Sequence, residues 1–191
     1  MKLTTLGCWG AYPYKDGGTT SYLVTSEDGF QLLMDCGSRA VTELEKEISP
    51  LDLDAVIISH YHPDHVADLG VLRHYFQLYP KHLWEPKILP IYGHTEDEQE
   101  FAKLTLDGVS QGKAYDVNGV EKVGPFDITF IKTVHPVPCY AFRIVERATG
   151  QTLVFTGDTG YFEGLDKFAA GADLSWQMFT FMQEMKSTQR I

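Results

Sequence analysis

The stretch that most restricts what this chain can fold into is an apolar run, residues 53–59 (LDLDAVIIS from 51), that ends in a crowd of imidazoles, residues 59–65 (SHYHPDH). A run that is continuously apolar in its second half reads as a strand buried on both faces, and such a strand needs a covering layer on each side. What it delivers at its end matters more. On extended backbone His60 and His62 point the same way. Pro63 can begin a turn into a following helix, leaving Asp64 and His65 to reach a neighbouring position. Nitrogen and carboxylate donors without thiolate suit zinc, with manganese also compatible. Two ions roughly 3.5–4 Å apart could share this supply of ligands.

A two-ion site needs further donors, and two stand at the ends of other expected strands. His135 closes residues 126–134 (FDITFIKTV) ahead of Pro136, which cannot extend a ladder. Asp158 follows residues 152–156 (TLVFT) in the small-residue sequence TGDTG. Asp35, at the end of FQLLMD, is expected to accept a hydrogen bond from a ligand histidine and so fix its tautomer. His74, His82 and His94 are expected at the surface.

The remaining chain supports an α/β arrangement. Residues 20–26 and 30–35 form a hairpin across Glu27-Asp28-Gly29. Helices are expected over 39–48, 66–79 and 95–107, and strands over 88–92, 140–146 and 152–156. The 191 residues carry a net charge of −10 with no clustering of Lys and Arg, which disfavours a long nucleic acid as partner. A small molecule, a nucleotide or an RNA end remains as substrate. The odd set Cys8, Cys36 and Cys139 lacks CxxC spacing, so neither a disulfide framework nor a cysteine zinc site is expected. A reducing cytoplasm suits those thiols. The N-terminus lacks the apolar core of a signal peptide, and no stretch is long enough to span a membrane. The sequence admits a homodimer.

Assembled in this way, the chain resembles the metallo-β-lactamase superfamily, and within it the short-form ribonuclease Z-like branch. The likeness rests on His60-x-His62-x-Asp64-His65, the later His135, and Asp158 in GDTG, together with LGCWGAYP, SYLV, LLMDCG and HPVPCYAFRI. It implies an αββα sandwich of two mixed β-sheets flanked by helices, with the metals at one edge between the sheets. By that likeness His60, His62 and His135 would hold the first zinc, Asp64 and His65 the second, and Asp158 would bridge. The implied activity is a metal-dependent hydrolase, a phosphodiesterase using a metal-bound hydroxide, with Asp64 as the catalytic residue that orients it and passes a proton to the leaving group. A thioester or lactone hydrolase is the alternative on the same ions.

The pattern departs from the family after Asp173-Leu174-Ser175-Trp176. Family members continue with a strand, a helix and a further strand ending in one more histidine. Residues 175–191 hold three of the five methionines and no histidine. The expectation is therefore a C-terminally truncated domain over 1–174, an atypical tail over 175–191, and a second metal site weakened by a missing ligand. A catalytically dead metal-binding fragment is the third reading. Met178, Met182 and Met185 have helical spacing and would form an apolar stripe. The substrate-gripping arm and additional catalytic histidine of tRNA-processing members are not found.

Overall fold

The computed structural model describes residues 1–78 and 87–179. In chain order the elements are β1 Lys2–Trp9, β2 Gly18–Thr19, β3 Ser21–Thr25, β4 Gln31–Met34, α1 Ala40–Leu44, β5 Ala55–Ile57, α2 Pro63–Val66, α3 Leu69–Leu78, β6 Leu89–Gly93, α4 Glu98–Ala102, β7 Ser110–Ala114, β8 Glu121–Val123, β9 Phe126–Lys132, β10 Tyr140–Glu146, β11 Thr152–Thr159, α5 Leu165–Ala169 and β12 Leu174–Phe179. They build two mixed sheets. One runs β2-β1-β3-β4-β5-β6-β7 and the other β12-β11-β10-β9-β8.

Strand parity explains how the central strands can be apolar throughout. Tyr22, Val24, Leu32, Met34, Ala55 and Ile57 face the second sheet and pack with Phe126, Phe142, Ile144 and Phe155. Their neighbours Leu23, Leu33 and Val56 face outward, where Val41, Leu44, Leu69 and Leu72 of α1 and α3 cover them. The second sheet carries α5 on its outer side, where Arg143 Nη1 donates to the carbonyls of Phe168 and Ala170 at 3.0 and 3.1 Å. The layers are thus helix, sheet, sheet, helix, an αββα sandwich. Among the described residues no helix is long and apolar enough to cross a membrane.

Several elements differ from expectation. The helix expected over 39–48 is regular only over Ala40–Leu44, entered from Arg39 in a left-handed conformation (φ 70°). Of the one expected over 66–79, α3 forms Leu69–Leu78, while Val66 closes the separate α2. The one over 95–107 shortens to α4, which Asp97 caps by accepting from Glu100 N at 3.0 Å. The strands β1, β2, β7, β8 and β12 were not expected. β12 pairs parallel with β11 and runs through the 174/175 boundary, so Met178 lies on a strand and not on a helical stripe. His82, Met182 and Met185 lie outside the described residues.

Candidate metal centre

The loop after β5 is held by main chain and by one aspartate. Cys36 N donates to His65 O at 2.8 Å and Asp68 N to Cys36 O at 3.0 Å, stitching the MDCG turn to the SHYHPDH turn. Gly37 makes that approach possible: a Cβ there would fall 2.1 Å from Asp64 O and 2.3 Å from Thr19 Oγ1. Asp35 takes a left-handed φ of 53°, which a short polar side chain tolerates better than most. Its fully buried carboxylate accepts from Ser59 N, Ser59 Oγ and His65 Nδ1, each at 2.7 Å.

These bonds decide tautomers. An ionised carboxylate only accepts, so the Ser59 hydroxyl proton goes to Asp35 and the hydroxyl oxygen must accept from His60 Nδ1, 3.1 Å away. Nδ1 therefore carries the proton in both His60 and His65, and the Nε2 atoms are turned toward the cleft.

All six expected residues meet there. His60 Nε2 lies 3.1 Å from His62 Nδ1, which lies 2.9 Å from His135 Nε2, and the three offer ligand atoms within 4.8 Å of one another. His60, His65 and Asp158 form a second such group. His65 Nε2 faces Asp158 Oδ1 at 3.3 Å and Asp64 Oδ2 at 3.6 Å. Asp64 stands beside the second group, and its Oδ2 also accepts from Ala11 N at 2.8 Å. Two devices in the second sheet bring its ligand candidates over. An isolated bridge between Val134 and Gly160 sets His135 beside Asp158. A register shift between Phe155 and Asp158 re-aims β11 at Gly157, whose φ is 56° and where a Cβ would come 3.2 Å from Ser59 Cβ and Tyr140 O, leaving no easy place for a side chain.

The electrostatics fit a cation. Burial pushes the His60 imidazole far below its usual range, reinforced by His65, His135 and His62. His135 is lowered too, by burial first, against the pull of Asp158. His65 goes the other way: burial opposes its charge, yet Asp35 and Asp158 raise it to about 10. Asp35 at Nδ1 and Asp158 at Nε2 thus draw positive charge onto this ring, at the place where a metal would sit. Converging imidazole nitrogens that cannot all be mutual donors, with His65 Nε2 and His135 Nδ1 lacking aligned hydrogen-bond partners, are the donor set a divalent ion satisfies.

The structure brings the six and Asp35 together, and around them stand residues that sequence reasoning missed. Ser59 relays Asp35 to His60, and Ala11 acts through its backbone amide, which no residue type signals. His94 is corrected from the surface position expected for it. Ile57 pairs with Tyr92, so His94 falls level with Ser59 at the sheet's end, only 2% exposed, with Tyr61 and Tyr140 rings at 4.5 and 5.7 Å. Burial lowers its pKa against the pull of Glu96. His74 is exposed as expected.

Residues 14–185 match the family model described as the Metallo-beta-lactamase superfamily. The probable metallo-hydrolase YhfI of Bacillus subtilis is 40% identical over 188 residues, covering 98% of this chain and 76% of that protein. Its crystal structure superposes with a TM-score of 0.85 over 91% of this chain and 69% of that one. Ribonuclease Z of Methanopyrus kandleri is 29% identical over 140 residues, which is 73% of this chain and 48% of that enzyme. The human short-form tRNase Z shares the fold, with a TM-score of 0.70 at 22% identity over 92% of this chain and 76% of that one.

Proposed function

The chain belongs to the metallo-β-lactamase superfamily, and on that premise we propose that it is a metal-dependent hydrolase, a phosphodiesterase of ribonuclease Z-like type acting on a small nucleotide or an RNA end. The observation that carries the hydrolase reading is the meeting of His60, His62 and His135, drawn from two sheets, beside His65 and Asp158. The likeness to enzymes named ribonuclease Z supports phosphorus as the electrophile.

In this reading His60, His62 and His135 would hold one zinc, and Asp64, His65 and Asp158 would serve a second. Bound ions of this kind supply Lewis acidity and bring the pKa of a water to near neutrality. The chain's own residues do the rest. Asp35 and Ser59 fix the His65 and His60 rings so that their Nε2 atoms face the cleft. Asp64, steadied by the Ala11 amide, is placed to take the proton of the attacking water and return it to the leaving group.

Metal analysis of the purified protein, followed by an assay panel with zinc or manganese on a chromogenic phosphodiester, a thioester and a lactone, tests both levels. Turnover of the phosphodiester supports the full reading. Turnover of the thioester or lactone alone would keep the hydrolase and replace its substrate. No turnover with less than one metal per chain would reject the enzyme.

A further inference from the structure

Of the ten large apolar side chains exposed among the described residues, half stand on segments tied to the candidate metal centre: Trp9 at the end of β1 with Tyr12 and Tyr14 on the loop after it, and Val134 and Tyr161 near His135 and Asp158 in the chain. The aromatics are 46, 68, 48 and 69% exposed for Trp9, Tyr12, Tyr14 and Tyr161. Such concentration at one site is unlike the scatter of single apolar residues that any surface shows.

Both segments are anchored to the centre. Ala11 N donates to Asp64 Oδ2 at 2.8 Å, seating the first loop on one carboxylate. Gly160 N donates to Val134 O at 2.9 Å, so Tyr161 follows the strand pair that carries His135 and Asp158. Asp64 and Asp158 face the same nitrogen, His65 Nε2, so both aromatic segments are tied to carboxylates that meet at one imidazole. The first loop is also braced. The Trp9 indole lies on Gly17, where a Cβ would come within 2.3 Å of Nε1, and its ring meets Tyr14 at 5.2 Å. Ala11 and Lys15 hold φ of 61° and 53°, a region that side-chain-bearing residues enter only where their surroundings demand it.

Rigid exposed aromatics lose little freedom when a planar ring stacks on them. The loop's single cation, Lys15, lies 5.2 Å from the centre of the Tyr14 ring and is followed by Asp16, so there is no basic track for a polymer backbone. The net charge of −10 opposes a polyanion as well.

We propose that Trp9, Tyr12 and Tyr161 grip the base of a compact nucleotide ester and hold its phosphate over the metal centre. This rests on the phosphodiesterase reading for the phosphate and adds the base as the specificity element.

Calorimetric titration of the full chain with adenosine 5′-monophosphate and with ribose 5-phosphate isolates the base, because the two ligands share sugar and phosphate. The nucleotide is expected to bind roughly tenfold tighter, the scale of one stacked base. Tyr12→Ala and Tyr161→Ala should each cut that preference at least threefold, and the Trp9→Ala/Tyr12→Ala pair should erase it. Trp9→Phe, which keeps a ring on Gly17, should retain most of it and guards against loss of the loop's shape. Equal binding of the two ligands, no binding of the nucleotide, or a preference that survives every alanine variant would overturn the clamp. A base preference that depends on these residues in a protein that hydrolyses no phosphodiester would leave the clamp standing and remove the phosphodiesterase reading. Hydrolysis without base preference would remove the clamp alone.

Discussion

Asp35 Oδ2 stands 2.7 Å from His65 Nδ1, with both side chains fully buried, and the same carboxylate reaches His60 through Ser59. One aspartate therefore orients a histidine of each candidate metal group. Removing it in Asp35→Ala should lower metal affinity by roughly 10–100-fold while the cleft-facing side chains are all still present. Competition with a fluorescent zinc chelator reads that loss; affinity within twofold of the parent would show that Asp35 does not hold the ligands.

His62 Nδ1 lies 3.1 Å from His60 Nε2 and 2.9 Å from His135 Nε2, so its loss removes the donor that both others face. His62→Ala should lose most bound metal and all measurable turnover. The exposed His74, changed to alanine in parallel, should lose neither. Unaltered metal content in His62→Ala, measured by plasma emission, would reject the assignment.

Gly37 is a packing point between two loops. A methyl group added there must enter space within 2.1 Å of Asp64 O, which is backbone and cannot rotate away. Gly37→Ala should destabilise the fold by about 1–3 kcal/mol, the usual scale of overpacking, and should weaken metal binding with it. Urea unfolding compared with Gly70→Ala, where a Cβ meets nothing within 4 Å, separates this clash from the general effect of replacing glycine.

Acid sensitivity is expected to trace in part to Glu146. Burial alone would raise this carboxyl, but the Thr149 hydroxyl at 2.6 Å, the Glu27 amide at 2.6 Å and the Met1 ammonium at 3.2 Å outweigh it and hold its pKa below the ordinary value. A folded-state value below the unfolded one means that the unfolded chain binds more protons between them. The stabilisation is then complete above the ordinary carboxylate value, about 4.3, and is lost as pH falls through the depressed one. Glu146→Gln should be less stable than the parent at pH 7, and the two urea midpoints should converge toward pH 3. Parallel curves at all pH values would contradict this role.

The hairpin of β3 and β4 was legible because Asp-Gly and flanking apolar runs are local signals, and Gly29 does take the positive φ, 90°, that such a turn asks for. The metal-competent residues were legible because they stand at or directly after the ends of apolar runs, His60 to His65 after β5, His135 after β9 and Asp158 near the end of β11. β1 was not, since only Leu6 and Gly7 are buried along it and no alternation marks it as a strand. β7, Ser110–Ala114, is a polar edge strand whose pairing with β6 is a tertiary fact. His94 was misread because Thr95-Glu96-Asp97 beside it look like a solvated loop. Only the pairing of β6 with β5 reveals that it ends inside the molecule.

The backbone bonds that join Cys36 to His65 and Asp68 have a dynamic meaning. Because β4 leads into one partner and β5 into the other, the histidine-bearing turn cannot detach unless neighbouring strands at the centre of the seven-stranded sheet part company. Opening of that turn is tied to the whole sandwich coming apart, so the amide protons of Cys36 and Asp68 belong with the slowest to trade for deuterium.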